Sequence, residues 1–175
     1  MNKVSFKQMK DGTKDDYLLL DRHEKKYIEG TADRILKFMS GLNSTLEGYQ
    51  VSRLEHSLQT ATRALKDKAD EEMIVAALLH DIGDELAPLN HAEYAAAVLK
   101  PYVSEKTHWI IEKHGIFQMY YYAHHLDGNK NERRDQTIEK FILVGQTGIG
   151  DHCPQYLLCL VCASPRTLQR NRTGR

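Results

Sequence analysis

Four histidines, His56, His80, His91 and His114, follow one another at separations of 24, 11 and 23 residues, and the second is followed directly by Asp81. Imidazole and carboxylate together suit Zn, Mn or Fe, and no cysteine lies near enough in sequence to suggest a thiolate site. The His80-Asp81 pair alone says little, because nine His and twelve Asp in 175 residues would give about 0.6 such pairs by chance. Its setting says more. The pair ends an apolar run, Met73 to Leu79, and a desolvated carboxylate without a partner costs several kcal/mol. A bound cation would supply that partner. A single divalent ion rarely uses four His and an Asp and still keeps an open position, whereas two ions bridged by Asp81 would use them naturally. A dinuclear centre is the expectation, with Asp81 as its bridging, catalytic carboxylate.

Such a centre needs helices to converge. From Asp15 to Leu42 apolar residues recur at helical spacing, which predicts two helices broken near Gly30. Val51 to Leu65 predicts an amphipathic helix with Leu54, Leu58, Ala61 and Leu65 on its apolar face, and it carries His56. Asp70-Glu71-Glu72 places negative charge at the start of a buried helix that stops at Gly83, so that His80 and Asp81 fall in its last turn. Asn90 and Glu93 have the spacing of a reciprocal cap, which puts His91 in the first turn of a helix ending near Pro101. Ser104 can cap a further helix that reaches His114. No strand-like alternation of useful length and no internal repeat is visible. The expected fold is all-α.

The other histidines are weaker candidates. His108 lies six residues before His114, about 240° away on the same helix, so the two do not face one ion. His23, His124, His125 and His152 fall beside charged runs, turns or the C-terminal stretch. Gln118 is four residues beyond His114 on the same helix face and is expected to contact substrate. Lys113 points about 100° away from its neighbour His114 and is left aside.

The order His56, His80-Asp81, His91, His114, with Leu78-Leu79-His80-Asp81-Ile82-Gly83 around the pair, resembles the HD-domain superfamily. The stretch Leu54 to Thr62 and the tract His91 to Tyr122 are similar to its mixed-valent diiron oxygenase branch, which holds organophosphonate-cleaving oxygenases and myo-inositol oxygenase. The resemblance covers roughly residues 1–136 and implies an HD-domain helical bundle over that range. It implies two Fe ions held by His56, His80, Asp81, His91 and His114, with a small hydroxylated anionic substrate such as an organophosphonate, and dioxygen, as partners. Tyr49, seven residues before His56, stands where the resembling oxygenases carry residues that guard the open iron, so the resemblance implies that it contacts substrate. Myo-inositol oxygenase has a lysine where this chain has Asp84, which argues against inositol. The alternative is a phosphohydrolase using Mn or Zn at the same residues; a second is an inactive metal-binding domain with an incomplete site.

The incompleteness concerns residues 137–175. The resembling enzymes take a last Asp ligand from a helix near the C-terminus, but here Phe141 to Gly150 carries three glycines in six residues, which oppose a helix. Tyr156 to Ala163 is a short apolar run, and Arg166 to Arg175 is basic, polar and expected to be disordered. The stretch reads as a replaced sequence, as from a frameshift or an alternative exon. Asp151 could serve as the missing ligand only if its loop folds back, with Asp127 and Asp135 as the other possibilities. Cys153, Cys159 and Cys162 lie here too; Cys159 and Cys162 have C-x-x-C spacing but no second pair, and read as reduced apolar residues.

Composition narrows the partners. Lys+Arg and Asp+Glu are both 24, so no overall charge excess draws nucleic acid or an anionic membrane. The apolar runs fall far short of the ~20 residues of a membrane span, and Met1 to Asp16 lacks the apolar core of a signal peptide. A single cytoplasmic domain without nucleic-acid or membrane partners is the expectation.

Overall fold

A computed structural model of the chain describes residues 3–44 and 48–132. The region 137–175, with its three cysteines, His152 and Asp151, lies outside the described residues, as does Asp135. Among the described residues the fold is all-α, as expected, and no helix is long and apolar enough to cross a membrane. The chain divides into two compact units, Met1–Gly41 and Leu42–Arg175.

The first unit holds α1 (Lys14–Glu29) and α2 (Thr31–Gly41), broken at Gly30 as the periodicity predicts. Its start is tied by one carboxylate. Asp16 accepts hydrogen bonds from the backbone N–H and the hydroxyl of both Ser5 (2.8 and 2.9 Å) and Thr13 (3.0 and 2.7 Å). The Thr13 hydroxyl in turn accepts from the Asp16 N–H, which completes a capping box. Gly12 lies so close to Tyr17 and Phe6 that a Cβ there would come within 2.7 Å of the Tyr17 ring.

The second unit holds α3 (Arg53–Lys66), α4 (Glu71–Leu79), α5 (His91–Leu99) and α6 (Glu105–Tyr122). α3 packs on α4, α5 packs on α6, and α4 also meets α6. Alanines line these contacts: Ala64, Ala76, Ala77, Ala95 and Ala96 are all buried, and small side chains let helix axes approach closely. Leu79, Ile82, Leu99, Ile110, Ile111 and Phe117 fill the space between. Asp70 caps α4 by accepting from Met73 N–H at 2.8 Å. Ser104 caps α6, accepting from Thr107 N–H, while its own N–H and hydroxyl donate to Glu72 at 3.0 and 2.6 Å. That contact ties the start of α6 to the start of α4.

Two local expectations differ from the structure. The Asn90 side chain makes no capping hydrogen bond; only its carbonyl joins α5, accepting from Tyr94 N–H at 3.0 Å. And the leucine row of α3 is not its buried face, since Leu58 is 51 % and Leu65 63 % exposed while Ser57, Thr60 and Ala64 are buried. Leu58 lies two residues after His56, about 200° around the helix, so the two cannot both face inward. The buried face is the one that carries His56.

Candidate metal centre

Each of the four histidines comes from a different helix or helix end, and the structure brings all four around Asp81. His56 is in the first turn of α3, where Ser52 caps the helix by accepting from Glu55 N–H. His80 is the residue that ends α4, still in right-handed helical conformation. Its Nδ1 lies 2.8 Å from the Ala77 carbonyl, one of the last carbonyls of α4, so the ring also caps the helix. His114 sits in the middle of α6 with the same arrangement, Nδ1 to the Ile111 carbonyl at 2.7 Å. His91 opens α5.

Gly83 is what lets the chain turn from Asp81 into α5. A Cβ there would stand 2.6 Å from the His91 carbonyl oxygen and 2.8 Å from its Cα. No side chain fits in that space. The glycine therefore acts through close backbone approach, with the loop after His80-Asp81 lying directly against the start of α5.

The carboxylate of Asp81 has one oxygen for each histidine pair. Its Oδ2 lies 3.1 Å from His80 Nε2 and 3.3 Å from His56 Nε2; its Oδ1 lies 3.3 Å from His114 Nε2 and 3.7 Å from His91 Nε2. Within each pair the two Nε2 atoms are 3.2 Å apart. Two groups result, His56 with His80 and Asp81, and Asp81 with His91 and His114, each compact enough to hold an ion. Among the described residues neither gains a second carboxylate.

The donor set fits a metal. A carbonyl can only accept, so His80 and His114 carry their proton on Nδ1 and present a bare Nε2 lone pair to the Asp81 carboxylate. Acceptor then faces acceptor at 3.1 and 3.3 Å in the protein interior, and a cation or an added proton must lie between. Two nitrogens each ~2.0–2.1 Å from one ion, at angles from octahedral to tetrahedral, stand about 2.9–3.4 Å apart. Both observed separations, 3.2 Å, fall inside that range.

Electrostatics agree for His80. Burial pushes its imidazole below the ordinary value, against the pull of Asp81, which favours the neutral ring that a metal would need. Burial alone would raise Asp81, but the imidazoles around it, His80 foremost, hold it well below the usual range. His114 is pulled down by burial, yet its hydrogen bond to Asp81 and that charge raise it on balance.

His80 and His114 are fully buried and form the floor, whereas the side chains of His56 and His91 are 13 % and 27 % exposed and face the opening. Tyr49 lies at that side of α3, largely exposed, with its ring 4.4 Å from the Arg53 guanidinium carbon. Gln118 is one turn beyond His114 on α6, half-buried. His108 turns away to Glu112, and Lys113 also pairs with Glu112. His124 and His125 stack on each other beyond α6, and His23 lies exposed on α1. Asp127, one of the candidates for a last ligand, takes a left-handed backbone after α6 and joins neither group.

Two residues that the sequence reading did not place at the site are there. Arg53 makes ion pairs with Asp84 (Nε to Oδ2, 2.6 Å) and Asp81 (Nη1 to Oδ2, 3.6 Å). Asp84 Oδ1 lies 3.5 Å from His91 Nδ1. The sequence signal for Arg53 was its position three residues before His56, on the same helix flank.

The family model of the HD domain matches residues 53–144, from Arg53 across all five residues of the two groups. No curated protein matches the chain.

Proposed function

The chain belongs to the HD-domain family, a family of metal-dependent phosphohydrolases, and we propose, on the resemblance of its histidine spacing to the diiron branch, that it is a dinuclear metalloenzyme, a diiron oxygenase acting on a small hydroxylated anion such as an organophosphonate. The observation that carries the reading is the division of Asp81, with one oxygen toward His56 and His80 and the other toward His91 and His114. Four neutral imidazoles and one carboxylate offset little of the charge of two divalent ions. The site would therefore keep a surplus of positive charge that favours an anionic substrate. A donor set rich in imidazole suits iron, and the likeness of the His91 to Tyr122 tract to the diiron branch supports oxidation.

When bound, two irons would supply the activation of dioxygen; two Zn or Mn ions would supply Lewis acidity for hydrolysis. The chain's own part is similar in both cases. Ala77 and Ile111 carbonyls fix the His80 and His114 rings with Nε2 inward. Asp81 spans the two positions, and the buried floor excludes water from one side. Substrate enters past His56 and His91, where Tyr49 and Gln118 are the residues proposed to contact it.

A phosphohydrolase is the second reading, favoured by the Arg53 guanidinium beside the shared carboxylate, since Arg suits phosphate recognition. Metal analysis of protein purified without air, followed by spectroscopy in both redox states, separates the two. About two Fe per chain with a mixed-valent signal and phosphonate turnover are expected. Zn or Mn with phosphate-ester cleavage would replace the oxygenase reading by the hydrolase.

A further inference from the structure

The two histidine pairs are held differently. In the His56–His80 pair, the buried ring is locked by a backbone carbonyl and Asp81 is its direct neighbour in sequence. In the His91–His114 pair, His114 is locked in the same way, but His91 is the most exposed of the four and its Nδ1 faces a side chain, Asp84. A side chain holds a ring only as well as it is itself held.

Asp84 is held by Arg53. The Arg53 Nε and Asp84 Oδ2 atoms are both shut off from solvent and make no hydrogen bond elsewhere, and their 2.6 Å ion pair is what they have. The same guanidinium reaches Asp81 Oδ2 at 3.6 Å and is covered on one face by the Tyr49 ring. A continuous line of contacts thus runs from Tyr49 through Arg53 and Asp84 to His91, from α3 to the first turn of α5. Gly83 sets its last step by bringing the Asp84 loop against His91.

We propose that Arg53 is a positioning residue for the His91–His114 metal position, acting through Asp84 at 2.6 Å, while the His56–His80 position, which meets Arg53 only through the longer 3.6 Å approach to Asp81 Oδ2, depends on it less. The inference rests on the two-metal reading but not on which reaction the metals serve. It makes the two positions unequal: the first is built from helix backbone, the second from a side-chain relay that a single substitution can cut. Tyr49 belongs to the relay as the cover of the guanidinium, in addition to whatever it does for substrate.

The test is metal uptake by the full-length chain, using Mn2+ followed by calorimetry and equilibrium dialysis, with far-ultraviolet circular dichroism as the check on folding. Wild type is expected to take up two ions in two steps. Arg53→Gln and Asp84→Asn are each expected to weaken the second step about 10–100-fold, as loss of outer partners does at other metal sites. The first step should remain, matching the single step of His91→Ala. Arg53→Lys restores the charge without the fork and should recover part of the second step. A histidine-selective NMR spectrum of the metal-free chain should show the His91 ring nitrogens altered in Asp84→Asn and those of His80 unchanged. Equal weakening of both steps, or two unchanged steps in folded Arg53→Gln, would overturn the inference with the two-metal reading intact. One ion per wild-type chain would sink that reading, and the inference with it.

Discussion

Asp16 and Asp81 are both buried carboxylates held below their usual titration range, yet they answer to different partners. Asp16 is surrounded by donors: two backbone N–H groups and two hydroxyls, and the Ser5 N–H does most to stabilise its charge. Nothing more is needed there. Asp81 is surrounded by ring nitrogens, two of which have given their proton to backbone carbonyls and can only accept. Low titration alone does not distinguish a structural carboxylate from a metal-binding one. What distinguishes them is whether the neighbours already carry the hydrogens, and by that measure only Asp81 calls for a cation.

The largest effect that tests this contrast is expected from His80→Ala. It removes a ligand and leaves the Ala77 carbonyl at the end of α4 without its donor, and should cost about 2–4 kcal/mol of stability. It should also abolish uptake at the His56–His80 position, measured by dialysis and elemental analysis. Asp81→Ala should weaken both positions together, because each uses one of its oxygens. Unchanged metal content in both variants would end the assignment.

A smaller effect is expected from Gly83→Ala. The added Cβ must displace the start of α5 from the turn, at a cost of about 1–3 kcal/mol in a chemical denaturation curve. The His91–His114 step should weaken with it. Asp16→Asn should leave metal uptake alone, lower stability at neutral pH and flatten the response to acid. Because the folded-state value of Asp16 is depressed, its contribution is present above the ordinary 3.8 and is lost as pH falls below it. Wild type should therefore lose helicity more steeply than Asp16→Asn on acidification below that point, followed by circular dichroism; equal slopes would remove Asp16 from the account. The smallest effect belongs to His108→Ala, expected to alter neither metal content nor stability measurably, since His108 faces only Glu112 on its own helix.

What was legible in the sequence was whatever depends on near neighbours. The break at Gly30 and the starts of α4 and α6 follow from residues three positions apart, and Asp70 and Ser104 make the caps their types suggest. The convergence of His56, His80, Asp81, His91 and His114 was legible because each sits at a helix start, a helix end or an inward position that spacing alone defines. The orientation of α3 was misread because leucines were taken to mark the inside. Close packing on α4 instead favours Ser57, Thr60 and Ala64, which bring the backbone of His56 near Asp81. The inward direction of His56 already contradicted that of Leu58, and weighing the two would have settled the face. The Asn90 cap failed for another reason: the chain enters α5 pressed against Gly83, with Asn90 at ψ 37° and not the extended value that a capping residue needs. Asp84 was noted only as a departure from the inositol enzyme, and its pairing with Arg53 went unseen because it joins a helix start to a distant turn, which no local pattern encodes.

The two carbonyl-anchored rings have a mechanical consequence. A ring fixed at Nδ1 by its own helix, with Nε2 facing the centre, has no free rotation left, so His80 and His114 form a stiff floor. His56 and His91 lie partly open to solvent. On the two-metal reading, a difference in radius between one ion and another would then be absorbed at that rim. On the proposed reading, exchange of one metal for another would accordingly alter the shape of the rim more than the depth of the site, and would reach the choice of substrate through the same two rings.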